Sequence, residues 1–251
     1  MKRIILFRPL EKIGDTRKIL KAFGYEVLFL PMIEIKERRT KNAIAFLKSV
    51  KDGKMDFTIF TSEIGVRIAE RIALENGFKI SDAKTKFFAI GRKTASALKK
   101  IGVKKPLIPD EFSTEGLIRA LKKYELRNKR IGIIRSTKGR KKLILNLERK
   151  GAKTFELKLY SEVFPKRINE NFLKKRIDYF IFTSSQIVLN FIKFLKRGKM
   201  EKEFRNLLKN AKVVAIGKPT KETLLRNKIK VDFLPKEASL VSILEMMEKI
   251  E

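Results

Sequence analysis

The 251-residue sequence contains no cysteine, no histidine and no tryptophan. Without cysteine there is neither a disulfide nor a thiolate site, and without histidine the commonest transition-metal ligand is missing, so a zinc or iron centre of ordinary composition is excluded. Long hydrophobic runs are absent too. The first, Ile4-Ile5-Leu6-Phe7, is far too short for a signal-peptide core or a membrane span, and Lys or Arg interrupts every later apolar stretch. No low-complexity segment or long linker breaks the chain. The expectation is a soluble cytoplasmic protein, long enough for two domains of ordinary size.

Acidic residues are the other shortage: 28 Asp and Glu stand against 60 Lys and Arg, a formal charge of +32. A surplus of this size favours polyanions, because neutralising them releases counterions. The cations are spread along the chain, mostly on the polar faces of expected helices, as in Lys99-Lys100, Lys122-Lys123 and Lys174-Lys175-Arg176. No zinc finger, K-homology glycine loop or RNA-recognition aromatic motif accompanies them. Three readings stay open on charge alone: a generally basic solvated surface, a small polyanionic substrate, and a non-catalytic basic protein holding RNA or another polyanion. Specific nucleic-acid recognition is not expected.

What the sequence does have is rhythm. Short apolar runs at 3–7, 26–30, 56–61, 87–90, 106–108, 130–135, 154–158, 178–183, 212–216 and 231–234 alternate with segments of three- and four-residue apolar spacing. Continuous apolar runs suit parallel strands covered on both faces, and the alternation predicts an α/β protein with two five-stranded sheets. The chain also repeats itself. Phe60-Thr61-Ser62 returns as Phe182-Thr183-Ser184, and Ala89-Ile90-Gly91 as Ala215-Ile216-Gly217, each pair about half the chain apart.

These echoes fall where strands give way to helices, the edge at which open parallel sheets bind ligands. Ser62 and Ser184 occupy expected helix N-caps, and N–H groups of a helix start also attract carboxylate or phosphate. Gly91-Arg92-Lys93-Thr94 and Gly217-Lys218-Pro219-Thr220 open the next helices. Glycine there permits positive φ or close approach of a ligand, while threonine can cap or donate. A third turn, Arg135-Ser136-Thr137-Lys138-Gly139-Arg140, gathers cations before a helix but lacks the Walker spacing, and no dinucleotide fingerprint is present.

Taken together, the order of these motifs resembles the uroporphyrinogen-III synthase family over nearly the whole chain. The likeness begins at Leu6-Phe7-Arg8-Pro9 and Pro31-Met32-Ile33-Glu34-Ile35. It continues through both Phe-Thr-Ser and Ala-Ile-Gly turns, Phe112-Ser113-Thr114-Glu115-Gly116-Leu117, Arg135-Ser136 with Gly139-Arg140, Leu159-Tyr160 and the segment 235–240. The resemblance implies two similar flavodoxin-like domains, each a five-stranded parallel sheet with flanking helices, joined by a two-strand connector near 33–36 and 160–163. The repeats alone would divide the chain near residue 125. The resemblance instead implies an interleaved division, 1–35 with 163–251 and 36–162, with the active site in a cleft between the domains.

It also implies the activity: a hydro-lyase of porphyrin and heme biosynthesis that closes hydroxymethylbilane to uroporphyrinogen III, inverting the last pyrrole ring with loss of water and no cofactor. Tyr160 matches the general acid of the family. Ser62, Thr94, Thr183, Ser185, Lys212 and Thr220 match positions lining its cleft, joining Gly91, Arg135, Ser136, Ser184 and Gly217 as candidate contacts to substrate carboxylates. The implied partners are the tetrapyrrole polycarboxylate and, for transient handover, hydroxymethylbilane synthase; a monomer away from membranes is expected.

Overall fold

The computed structural model describes residues 1–9, 13–139 and 141–250. In chain order the elements are β1 (Arg3–Phe7), α1 (Ile13–Ala22), β2 (Glu26–Phe29), β3 (Glu34–Glu37), α2 (Lys41–Lys51), β4 (Phe57–Phe60) and α3 (Glu63–Glu75). Next come β5 (Lys86–Ala89), α4 (Arg92–Lys100), α5 (Thr114–Leu121), β6 (Arg130–Ser136), α6 (Lys142–Glu148) and β7 (Lys153–Val163). The chain ends with β8 (Tyr179–Phe182), α7 (Ser185–Gly198), α8 (Glu201–Leu207), β9 (Lys212–Ala215), α9 (Lys218–Arg226) and α10 (Leu240–Glu248).

The chain divides into two compact units, Met1–Ile35 with Val163–Glu251, and Lys36–Glu162. The first holds a sheet in the order β2-β1-β8-β9, with every neighbouring pair parallel. The second is ordered β3-β7-β6-β4-β5, and its pairs from β7 to β5 are parallel.

Burial explains why the strands read as unbroken apolar runs. In the first unit Ile5, Phe7, Phe180 and Phe182 point to one face, against Phe191, Phe194 and Leu224 of α7 and α9. Ile4, Leu6, Tyr179 and Ile181 point to the other, against Leu20, Ile243 and Met247 of α1 and α10. Because both faces are covered, neither can be polar. The Phe7 and Phe182 rings stack at 4.2 Å, and Phe191 closes on Phe7 at 4.6 Å. In the second unit Phe57, Ile59, Ile131 and Ile133 pack on Leu117, Leu121, Leu143 and Leu147 of α5 and α6.

The expected count of two five-stranded sheets needs correction. The runs at 106–108 and 231–234 form single parallel bridges, Leu107 to Phe88 and Phe233 to Val214, not strands. Leu107 alone of its run bonds β5, donating to Phe87 O and accepting from Ala89 N, both at 2.8 Å, among the described residues. In the other unit the carboxylate of Asp232 takes the Val213 N–H at 2.8 Å, where a strand would offer a carbonyl. The fifth strand of the second sheet is instead β3, beside the end of β7, where Arg38 N–H donates to Leu159 O at 2.9 Å.

With the two bridges included, both units share one spatial order when β8, β9, β1 and β2 are matched to β4, β5, β6 and β7. This exposes a third echo, Arg3-Ile4-Ile5-Leu6-Phe7-Arg8 with Arg130-Ile131-Gly132-Ile133-Ile134-Arg135. An aspartate anchors each copy. Asp178 Oδ2 accepts from Arg3 N at 2.7 Å, and Asp56 Oδ2 accepts from Arg130 N at 2.8 Å.

The Arg130 N–H bond is the main reason the Asp56 carboxyl is held below its ordinary range, with Lys129 adding to it against the cost of burial. A carboxylate depressed on folding contributes stability above its unfolded pKa, near 4, and loses it as pH falls through the folded value. Asp56→Asn is therefore expected to flatten the acid limb of stability below about pH 4. Urea unfolding midpoints measured from pH 6 to pH 2 test this, and parallel acid limbs for variant and wild type would refute it.

Candidate functional site

Register brings the strand ends into line. Phe60 pairs with both Ala89 and Ile134, and Ile134 pairs with Leu157, so the turns after β4, β5 and β6 leave one edge of the Lys36–Glu162 sheet together. In the other unit Phe182 pairs with Phe7 and Ala215, which places the turns after β1, β8 and β9 likewise.

At the first of these edges Ser62 caps α3. Its backbone is extended, at φ −160° and ψ 152°, and its Oγ accepts from Gly65 N at 3.0 Å. The phenol of Tyr160, which is 4% exposed, donates to the same Oγ at 2.8 Å. A β-carbon on Gly65 would lie 3.1 Å from Ser62 Oγ and 3.9 Å from the Tyr160 ring, so glycine lets helix and phenol meet. Ser136 pairs with Tyr160 just past a register irregularity in the β6–β7 ladder. Burial pushes the Tyr160 pKa above its ordinary value, and the Glu162 charge adds to this against the opposing pull of Ser62 and Ser136. The phenol is thus a neutral donor throughout the physiological range.

The geometry gives Ser62 a role the sequence did not suggest. Its oxygen accepts from both Gly65 N–H and Tyr160 O–H, which leaves its own hydroxyl proton to be donated elsewhere. The two hydroxyls thus form a chain of donors running from Tyr160 through Ser62. The sequence signal for this contact is Gly65, three residues after Ser62.

The turns at Gly91 and Gly217 share their conformation, φ −170° with ψ 176° and 170°, and neither has a side-chain cap. Positive φ is therefore not the reason for glycine at either place, contrary to one expectation. At Gly91 the reason is space, since a β-carbon would come 3.3 Å from Phe112 Cβ. Thr94 and Thr220, third residues of α4 and α9, are each 4% exposed. Neither hydroxyl has a hydrogen-bond partner among the described residues. Two unpartnered hydroxyls beside uncapped helix starts can serve an anion together with the backbone N–H groups.

Other candidates are already engaged. Thr183 Oγ1 donates to Phe7 O at 2.6 Å, and its counterpart Thr61 donates to Ile134 O at 3.3 Å; both hydroxyls lash a turn to the neighbouring strand. Ser184 Oγ accepts from Ile187 N at 3.3 Å as the cap of α7, and Ser185 Oγ donates to Pro219 O at 2.9 Å. Arg135 is 4% exposed and pairs through Nε with Glu156, which Lys158 also approaches at 3.5 Å. Its guanidinium lies over Gly139, where a β-carbon would come within 2.9 Å. Arg140 lies outside the described residues. Lys212 is not brought to this edge: it is the first residue of β9, at the amino end of the strand whose carboxyl end leads to Gly217.

Among the described residues no three His, Cys, Asp or Glu are grouped to hold a metal, and no helix is long and apolar enough to cross a membrane.

Comparison with known proteins places this geometry. A Methanocaldococcus jannaschii protein provisionally named uroporphyrinogen-III synthase is 28% identical over 257 residues, covering 99% of both chains. A Methanothermobacter thermautotrophicus protein of the same provisional name is 27% identical over 216 residues, 84% of this chain and 83% of that one. The crystal structure of uroporphyrinogen-III synthetase from Helicobacter pylori matches the whole of both chains with a TM-score of 0.65 at 18% identity, a likeness of fold. The family description uroporphyrinogen-III synthase HemD matches residues 14–245. With its parallel sheets, repeated turns and all but the ends of the chain matched, the protein belongs to the uroporphyrinogen-III synthase family.

Proposed function

We propose that the protein is a uroporphyrinogen-III synthase, a hydro-lyase that converts hydroxymethylbilane to uroporphyrinogen III and water. The observation that carries this reading is the Tyr160–Ser62 hydroxyl pair at the end of β4, 2.8 Å apart, in a chain of this family. Departure of the terminal hydroxyl as water needs a proton. Ser62 would deliver it, and the neutral Tyr160 phenol would restore it. The resulting azafulvene is then attacked through a substituted ring carbon, and the spiro intermediate reopens with the last pyrrole inverted. That outcome depends on holding the chain of rings in one conformation.

The substrate carries eight carboxylates, which suits the +32 charge. Thr94 and Thr220, with the N–H groups following Gly91 and Gly217, would bind some of them. In this reading the units are flavodoxin-like domains. The enzyme would work in the cytoplasm as a monomer, without cofactor, receiving its substrate from hydroxymethylbilane synthase.

Isomer analysis tests the proposal. Left alone, hydroxymethylbilane closes to the uninverted type I product, so the purified protein is expected to shift the product to type III by chromatography. A product that stays type I with folded protein present would end the enzyme reading.

A further inference from the structure

The matched order of the two sheets exposes a difference at their amino edges. In a parallel ladder, alternate residues turn both N–H and C=O toward the same neighbour. Lys86 N donates to Asp56 O at 3.1 Å and Leu107 N donates to Phe87 O at 2.8 Å, so Phe87 turns its N–H to the outer side of β5. Val213 is its counterpart in β9: Lys212 N donates to Asp178 O at 2.8 Å, and Phe233 N donates to Val213 O at 3.1 Å. There the outward N–H of Val213 meets the Asp232 carboxylate at 2.8 Å. The residue matching Asp232 is Pro106, because Leu107 matches Phe233 through the equivalent bridges. Proline offers no carboxylate, and among the described residues the Phe87 N–H has no hydrogen-bond partner.

The surroundings of Phe87 are built for an anion. It lines a cavity of about 510 Å³ together with Lys86, Lys104, Lys105, Leu107 and Tyr124. None of the three lysines has an ion-pair partner among the described residues. The Lys86 ammonium lies 5.1 Å from the centroid of the Tyr124 ring, which leaves a cation beside an aromatic wall. The matching notch in the other unit is about 230 Å³ and contains its own acid, Asp232, with Lys230 at 3.8 Å.

We propose that this amino-edge cavity of the Lys36–Glu162 unit binds an organic anion, whose carboxylate or phosphate accepts from Phe87 N–H as the Asp232 carboxylate accepts from Val213 N–H. The lysines neutralise the charge, and Leu107 with the Tyr124 ring covers an apolar or planar body. The volume falls in the range of small-molecule sites. The cavity lies at the opposite end of β5 from Gly91, and the proposal stands independently of the synthase reading.

The test is a titration of the whole protein with phenyl phosphate, inorganic phosphate and benzyl alcohol, followed in ¹H–¹⁵N NMR spectra. Phenyl phosphate is expected to shift the Phe87 amide and to bind more tightly than either other probe. Pro106→Asp, which supplies the internal carboxylate, and the pair Lys104→Ala with Lys105→Ala should each weaken binding by about tenfold or more, whereas Pro106→Ala should leave it unchanged. A Phe87 amide that does not respond would overturn the site. So would undiminished binding by the lysine variant, which keeps the test decisive should Pro106→Asp fail to fold. Equal affinity for inorganic phosphate would overturn the ligand class.

Discussion

Tyr160→Phe is expected to slow formation of uroporphyrinogen III by roughly 10²–10⁴-fold, the range for removing a positioned general acid. Ser62→Ala should fall in the same range, because the phenol donates to Ser62 Oγ, 2.8 Å away. Two residues acting as one donor cannot each be lost in full, so the double variant should be scarcely slower than either single one. Stability responds less. Deleting the phenol oxygen removes one hydrogen bond to Ser62 and costs about 1 kcal/mol. On the proposed function, Thr94→Ala and Thr220→Ala would each remove one of many carboxylate contacts and should cost about 1–3 kcal/mol in substrate binding. Thr183→Ala should act mainly on stability, since its hydroxyl is spent on Phe7 O at 2.6 Å. Initial rates with freshly made hydroxymethylbilane, with the isomers separated by chromatography, decide the matter. If the effects of Tyr160→Phe and Ser62→Ala multiply, the relay is wrong; if Tyr160→Phe turns over like wild type, so is the choice of acid.

The largest single-methyl effect on stability is expected at Gly116. A β-carbon there would sit 2.0 Å from Glu111 O and 2.9 Å from Glu111 C, backbone atoms that cannot rotate away. The turn is held from several sides. Ser113 Oγ accepts from Gly116 N at 3.0 Å and donates to Glu111 Oε1 at 2.7 Å, while Arg119 pairs with the same carboxylate. Gly116→Ala should therefore cost about 3 kcal/mol, the upper end for overpacking, with a Tm drop of several degrees. Ser113→Ala, which removes the cap of α5 and the exposed bond to Glu111 but adds no atom, should cost about 1 kcal/mol. Gly198 is an instructive contrast. Its added β-carbon would lie 2.2 Å from Met200, but the atom met is the terminal Cε of a flexible side chain. Gly198→Ala should be close to neutral. Thermal and urea unfolding of the three variants would refute this ordering if Gly116→Ala matched wild type.

Much of the architecture was open to inspection in the chain itself. Apolar runs such as Phe57-Thr58-Ile59-Phe60 and Tyr179-Phe180-Ile181-Phe182 mark strands buried on both faces. The serines at 62, 113, 184 and 239 mark helix starts, and all four accept a first-turn N–H. These signals work because burial periodicity and capping act within one or two turns of chain. The runs at 106–108 and 231–234 misled for the same reason: they have strand composition, but each makes only one bridge, and at 231–234 an aspartate side chain takes the Val213 N–H that a strand carbonyl would accept. The third echo, Arg3 to Arg8 with Arg130 to Arg135, was hidden because the second copy begins at a different strand from the first.

Local sequence thus determined that the chain forms parallel α/β sheets, where its helices begin and which turns cluster hydroxyls and glycines. It could not sort those hydroxyls, because a proton goes to the nearest acceptor in space and the deciding neighbours lie far along the chain. Thr183 is tied to Phe7, Thr61 to Ile134 and Tyr160 to Ser62. Thr94 and Thr220, in motifs that look no different, remain unengaged among the described residues. Likewise the charge of Lys212 is visible in composition, but only strand direction shows that it stands at the amino end of β9. Register across parallel strands, which joins segments more than a hundred residues apart, decided which polar groups were used up in holding the fold and which were left for chemistry.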